Sequence, residues 1–127
     1  MTTTTTNKGK NIITDRLQTT PATYTANGPK YVAFGGSSGG SASNTNLQAQ
    51  LGGKSNGAET LVTTTQTNDT YQVVATLTAS GSWAITESGL FYGAASGTND
   101  LFAYSDFSVV NLSASDSIQF TWKVQFT

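Results

Sequence analysis

Any catalysis by this chain would have to come from carboxylates. The 127 residues include no histidine and no cysteine, so the side chain that most often moves protons near neutrality, the thiolate nucleophile and the soft metal ligands are all missing. The acids are Asp15, Glu59, Asp69, Glu87, Asp100, Asp106 and Asp116, and two of them flanking a bond in a cleft could hydrolyse a glycoside. Glu87 is the first to consider. Alternation from Trp83 and Ile85 turns it toward the core, where a carboxylate is costly unless it is hydrogen-bonded. The preferred reading is structural: Glu87 accepts from turn amides near Ser88 and Gly89, or a bulge rotates it outward. Asp106 on its strand and Asp116 in its turn read as solvated or turn-forming groups. Asp100, Asp106 and Asp116 lack the regular alternate spacing that organises a calcium loop. The expectation is a protein that is not an enzyme, with no catalytic residue, no metal ligand and no cofactor.

Binding chemistry is equally sparse. The basic residues are Lys8, Lys10, Arg16, Lys30, Lys54 and Lys123, and the net charge is −1. Phosphate recognition draws on clustered Lys and Arg, and only the stretch from Lys8 to Arg16 groups them even loosely, so no nucleic-acid partner is expected. The Gly/Ser run from Gly35 to Asn44 has neither the Lys-Ser/Thr ending of a phosphate loop nor the spaced glycines of a dinucleotide fingerprint. Tyr31, Trp83, Phe91, Tyr92, Phe102, Tyr104 and Trp122 could form a sugar-stacking platform, although core packing is the commoner fate of such rings. Phe91 and Tyr92 are neighbours on one strand and should face opposite sides, so one of the two rings is expected to be exposed and to seek a partner. Asn68-Asp69-Thr70 and Asn111-Leu112-Ser113 match the glycosylation sequon, which matters only in a eukaryotic secretory route.

The elements that must position these groups are mostly strands. Charged residues make up 10% of the chain, well under the roughly 25% of an ordinary soluble domain, and Thr, Ser, Gly and Asn carry the solubility. Neither an apolar leader nor a run of the roughly 20 apolar residues that span a bilayer is present, so a soluble protein without a cleaved signal and without a membrane partner is expected. Residues 1–10 read as an extended arm, disordered alone or ordered by pairing with the edge of a neighbouring molecule. The rest, 11–127, reads as a single domain. Asn11 to Leu17 places Ile12, Ile13, Arg16 and Leu17 at helical spacing. Asn27-Gly28-Pro29 is a turn into a strand at Tyr31 to Gly35, and Gly35 to Asn44 is a long surface loop between apolar anchors at Tyr31 to Phe34 and Leu47 to Leu51.

From Leu61 onward the pattern is strongly β. Tyr71, Val73, Ala75 and Leu77 share one face of a strand. Trp83 to Glu87 is another strand, with a bulge or bend at Ser88-Gly89 before Leu90 to Tyr92. After a loop at Gly93 to Asn99 come strands at Leu101 to Phe107 and Val109 to Leu112, and a turn at Ser113 to Asp116. Ile118, Phe120, Trp122, Val124 and Phe126 then alternate with polar residues. About seven or eight short strands with turns between them predict an all-β fold, an antiparallel β-sandwich or jelly roll.

Several segments resemble a pattern found in virion structural proteins of tailed bacteriophages. They are Ile85-Thr-Glu-Ser-Gly-Leu-Phe91, Leu101-Phe-Ala, Phe107-Ser-Val-Val-Asn-Leu112 and Asp116-Ser-Ile-Gln-Phe-Thr-Trp122, preceded by Asn7-Lys-Gly-Lys-Asn-Ile-Ile-Thr-Asp-Arg-Leu17 and Tyr31-Val-Ala-Phe-Gly-Gly36. The resemblance implies a β-sandwich of the capsid decoration (cement) or fibre type, carries no catalytic residue, and departs from fuller fibre proteins in lacking a shaft or repeat. The expected function is capsid decoration: a symmetric oligomer, a homotrimer, bound to the major capsid protein on the outer surface of the virion after synthesis in the host cytoplasm. The alternative is a host-binding module of a tail or head fibre, using the loops at Gly35 to Asn44 and Gly93 to Asn99. The contact residues expected are Thr2, Thr3, Thr4, Thr5, Thr6, Ile12, Ile13, Phe91 and Tyr92.

Overall fold

The structure, a computed structural model, describes residues 2–18, 28–95 and 99–126. Among these the chain forms strands β1 (Thr2–Thr5), β2 (Tyr31–Gly35), β3 (Gln50–Asn56), β4 (Ala58–Val62), β5 (Thr70–Thr78), β6 (Trp83–Phe91), β7 (Leu101–Leu112) and β8 (Ser117–Gln125), with one helix, α1 (Asn7–Arg16). Two antiparallel sheets result. The larger has the order β1-β7-β6-β2-β3 and the smaller the order β4-β5-β8, so the all-β sandwich expected from periodicity is the architecture found. The expected turn at Asn27 and the loop centre at residues 96–98 lie outside the described residues.

Alternation decides which side chains the two sheets share. On β5, Val73, Ala75 and Leu77 are buried, and on β8, Ile118, Phe120, Trp122 and Val124 point inward while Gln119, Thr121, Lys123 and Gln125 face water. They meet Val32, Phe34, Ile85, Leu90 and Leu112 from the larger sheet in one core. Phe34 is its keystone, 1% exposed and edge-on to both Trp83 (centroids 5.7 Å) and Phe120 (6.5 Å), so one ring links the two sheets. The chain passes from the larger sheet to the smaller at Gly57, between β3 and β4. A side chain there would collide with Val73 and lie 2.9 Å from Lys30 O, and Gly57 N donates to that same carbonyl at 2.8 Å. One flank of the sandwich is thereby closed.

β3 and β4 carry few apolar residues, Leu51 and then Leu61 and Val62, which is why periodicity alone passes over β3. The expected pair of strands around Ser108 is one strand, β7. It carries an irregularity there, because Asp106 faces Glu87 and Val110 faces Ile85, so that Phe107 to Val109 oppose the single residue Thr86.

Of the extended arm expected over residues 1–10, Thr2 to Thr6 are extended, and Thr2 to Thr5 pair antiparallel with Asp106 to Ala103 of β7 in the same chain, not with a neighbouring molecule, since that edge is open and Thr favours extended backbone. The helix begins at Asn7, four residues before the expected start, and crosses the boundary drawn after Lys10. Thr6 is its N-cap, accepting from Gly9 N at 2.9 Å, while Thr6 N donates to Phe102 O at 3.0 Å and the hydroxyl donates to Leu101 O. Glycine is a poor helix former, yet the missing side chain of Gly9 is what lets α1 lie against β7, because a Cβ would collide with the backbone carbonyl of Phe102. Gly9→Ala is expected to destabilise the protein by about 1–3 kcal/mol through overpacking, outweighing the gain of up to about 1 kcal/mol in helix propensity. Chemical denaturation of the variant against wild type measures the net sign.

Candidate functional site

Glu87 is buried, 4% exposed, but not where alternation put it. The irregularity at Thr86 re-phases β6, so Ile85 enters the inter-sheet core while Glu87 joins Gly35 and Asp106, its register partners, on the outer face of the larger sheet. Its carboxylate accepts from Ser37 N (3.1 Å), Ala49 N (3.1 Å) and Gln48 N (3.3 Å). The amide partners are therefore those of the Gly/Ser loop and not those of Ser88 and Gly89. Three charge-assisted bonds offset the burial of the charge.

Those bonds belong to a wider arrangement. Residues 36–49 leave β2 and return to β3 with Gly36 N donating to Ala49 O at 3.0 Å, and they fold down over the sheet. Asp106 Oδ2 accepts from Gly39 N (3.2 Å), the Tyr104 hydroxyl donates to Gly40 O, Asn7 N donates to Ala42 O (2.8 Å) and Leu101 N donates to Thr45 O (3.0 Å). Leu47 seals a second apolar cluster with Ala33, Phe91, Leu101 and Tyr104. The register thus pairs Glu87 with Asp106 on the outer face, and the loop lies over both and takes up their carboxylates.

Phe91, expected as one of a pair with an exposed ring, is fully buried in that cluster, and Tyr92 is half-buried against the main core. Lys54 covers Phe91. Its ammonium sits 3.9 Å from the ring centroid, 3.6 Å from Asp100 Oδ1 and 3.0 Å from Gly93 O, with the side chain fully shielded. Burial pulls its pKa below the usual lysine value against the opposing pull of Asp100. Two further acids, Asp69 and Asp116, also serve the backbone. Asp69 accepts from the amides of Thr64, Thr65 and Gln66, which hold its carboxyl well below the ordinary range, and Asp116 accepts from Ser113 N at 2.8 Å. Glu59 lies 2.7 Å from the Tyr71 hydroxyl, whose pKa is pushed up by burial and by that carboxylate. No cluster of metal-ligating side chains occurs among the described residues, and none of their helices is long and apolar enough to cross a membrane.

Of the open surface features among the described residues, one is on the flank between β1 and β8. A groove of about 410 Å³ runs there, with Phe107 and Val110 of β7 facing Ile118, Phe120 and Trp122 of β8, and the hydroxyls of Thr3, Ser88 and Ser105 along one wall. Thr3 Oγ1 donates to Ser105 Oγ at 3.0 Å and Ser88 Oγ to Ala33 O at 2.9 Å, so those hydroxyls already have partners; the buried Trp122 Nε1 has none. Val110, in its lining, is 36% exposed, and the neighbouring Val109, which does not line it, is 54% exposed.

Of the contact residues expected from sequence, Thr2 to Thr5 are engaged with β7, Thr6 and Ile12 are buried, Ile13 packs against the core, and Phe91 is covered. Thr3 alone among them reaches the groove. The groove itself was hidden in the sequence because its walls come from opposite sheets, although Phe107, Val109 and Val110 in succession around a bulge are a signal that one apolar side chain must face out. No protein-family model, no curated protein and no solved structure matches this chain.

Proposed function

We propose that this is a non-enzymatic structural protein that works through its contact surfaces, and that it is a decoration protein of a tailed-phage capsid, acting as a symmetric oligomer on the outer shell. The observation that carries the non-catalytic part is the fate of the acids. Glu87 and Asp106 are the pair that the sheet sets together, and both are spent on amides of the 36–49 loop. The groove is lined by neither of them. The capsid part rests on the segment resemblance, and the pinned loop, which adds rigidity without adding a reactive group, is in keeping with it.

Two measurements test the proposal. The copy number of the protein in purified particles of the phage concerned should be in the hundreds, and the purified protein should cosediment with shells that lack it. A few copies per particle, or adsorption to host cells and to a glycan array instead of to shells, would move the protein to a fibre. Turnover in a glycosidase screen that disappears in Glu87→Gln would overturn the non-enzymatic reading.

A further inference from the structure

We infer that the unpaired half of β7, Phe107 to Leu112, is the site at which a second copy of this chain adds, strand against strand and antiparallel, about a two-fold axis. The inference rests on the reading of the protein as one that acts through contacts, and not on which particle it serves.

The edge is vacant by register. β1 pairs with β7 only as far as Thr2 opposite Asp106, and on that side no described strand continues along residues 107–112. Exposed edges are ordinarily blunted by charge, shortness or distortion. The other edges of this sandwich show those devices: Glu59 on β4, Lys54 beside the left-handed Gly52 on β3, Lys123 on β8, and only four residues in β1. Phe107-Ser-Val-Val-Asn-Leu112 has no charged residue. The irregularity at Phe107 to Val109 would usually defend an edge, but here it leaves Val109 and Val110 in water.

An antiparallel strand pair is its own two-fold mate, so a neutral edge can accept an identical copy with no like charges brought together. The pairing also covers part of the groove. Val110 and Phe107 line it from the strand that would form the axis, so joining two copies along β7 would shield those two side chains from solvent. The contact is two-fold, in place of the three-fold expected from the sequence.

The test uses the full chain in sedimentation equilibrium, with amide hydrogen exchange on the same samples. The expected species has twice the 13.2 kDa mass of one chain, with residues 107–112 becoming protected as concentration rises. Val109→Lys places two ammonium groups across the axis and should weaken association at least tenfold, about 1.4 kcal/mol, with an unchanged circular dichroism spectrum. Leu61→Lys on the β4 edge should leave the dimer intact. A trimer, a monomer at every accessible concentration, or a dimer that persists in Val109→Lys would overturn the inference. If Val109→Lys fails to fold, rapid exchange at 107–112 in the wild-type oligomer would overturn it as well. Cosedimentation with shells reads the proposed function separately, since a monomer could still bind them.

Discussion

Glu87→Ala is expected to lower stability by roughly 3 kcal/mol and to release the 36–49 loop from the outer face of the larger sheet. The variant leaves Ser37 N, Gln48 N and Ala49 N without their acceptor. Each bond to a charged acceptor is worth about 1.5–3 kcal/mol, and the total is smaller than the sum because a buried charge is removed with them. Denaturant titration gives the magnitude. Amide exchange gives the mechanism: residues 37–49 should lose protection while β5 and β8 keep theirs. Glu87→Gln retains one acceptor oxygen and should recover part of the loss. A change under about 1 kcal/mol for the alanine variant would show that Leu47, Tyr104 and Asp106 hold the loop without the carboxylate.

Phe34→Ala should be at least as damaging, about 3–5 kcal/mol, and its effect should be global. Phe34 touches Trp83 within its own sheet and Phe120 across the interface, so the truncation opens a void on the surface where the layers meet. The surrounding strands are fixed by their ladders and can collapse into that void only partly. Near-UV circular dichroism should weaken through Trp83, and exchange should accelerate in β5 and β8 together. Phe34→Leu, which fills most of the volume, should cost well under half as much. A loss restricted to β2 would mean that the two layers are held elsewhere.

Strands whose apolar residues alternate against one wet face were legible. β8, β5 and β2 were found where Ile118 to Val124, Tyr71 to Leu77 and Tyr31 to Phe34 placed them. Glu87 was legible as an unusual acid, and a bulge was among the reasons considered, but its partners come from a loop 38 to 50 residues earlier, which no local pattern encodes. The centre of the larger sheet, β2 with the second half of β6 and the first half of β7, is buried on both faces. Where both faces are covered, Ala33, Gly89 and Phe91 are as shielded as Val32 and Leu90, and two-residue periodicity no longer distinguishes inside from outside. The Gly/Ser run is a long surface loop, as its composition suggests, but that composition does not show that it lies down over the sheet, which small residues permit by letting backbone come close. Thr2 to Thr6 were correctly read as extended, but the edge they join belongs to their own chain, a choice set by topology.

The pairing of β1 with β7 has a consequence for how the molecule comes into being. Thr3 and Ser105, joined by their hydroxyls, are 102 positions apart, so β1 must wait for β2 to β7 to be made before it can pair. Closing so long a loop carries its entropic cost before any contact repays it, which favours slow folding and places the last step after most of the chain has been made. Until then Thr2 to Thr5 and the bare side of Leu101 to Asp106 are separate and adhesive. Crowded nascent chains would find one another's edges most readily during that interval, and dilution or low temperature during synthesis should raise the yield of correctly closed molecules.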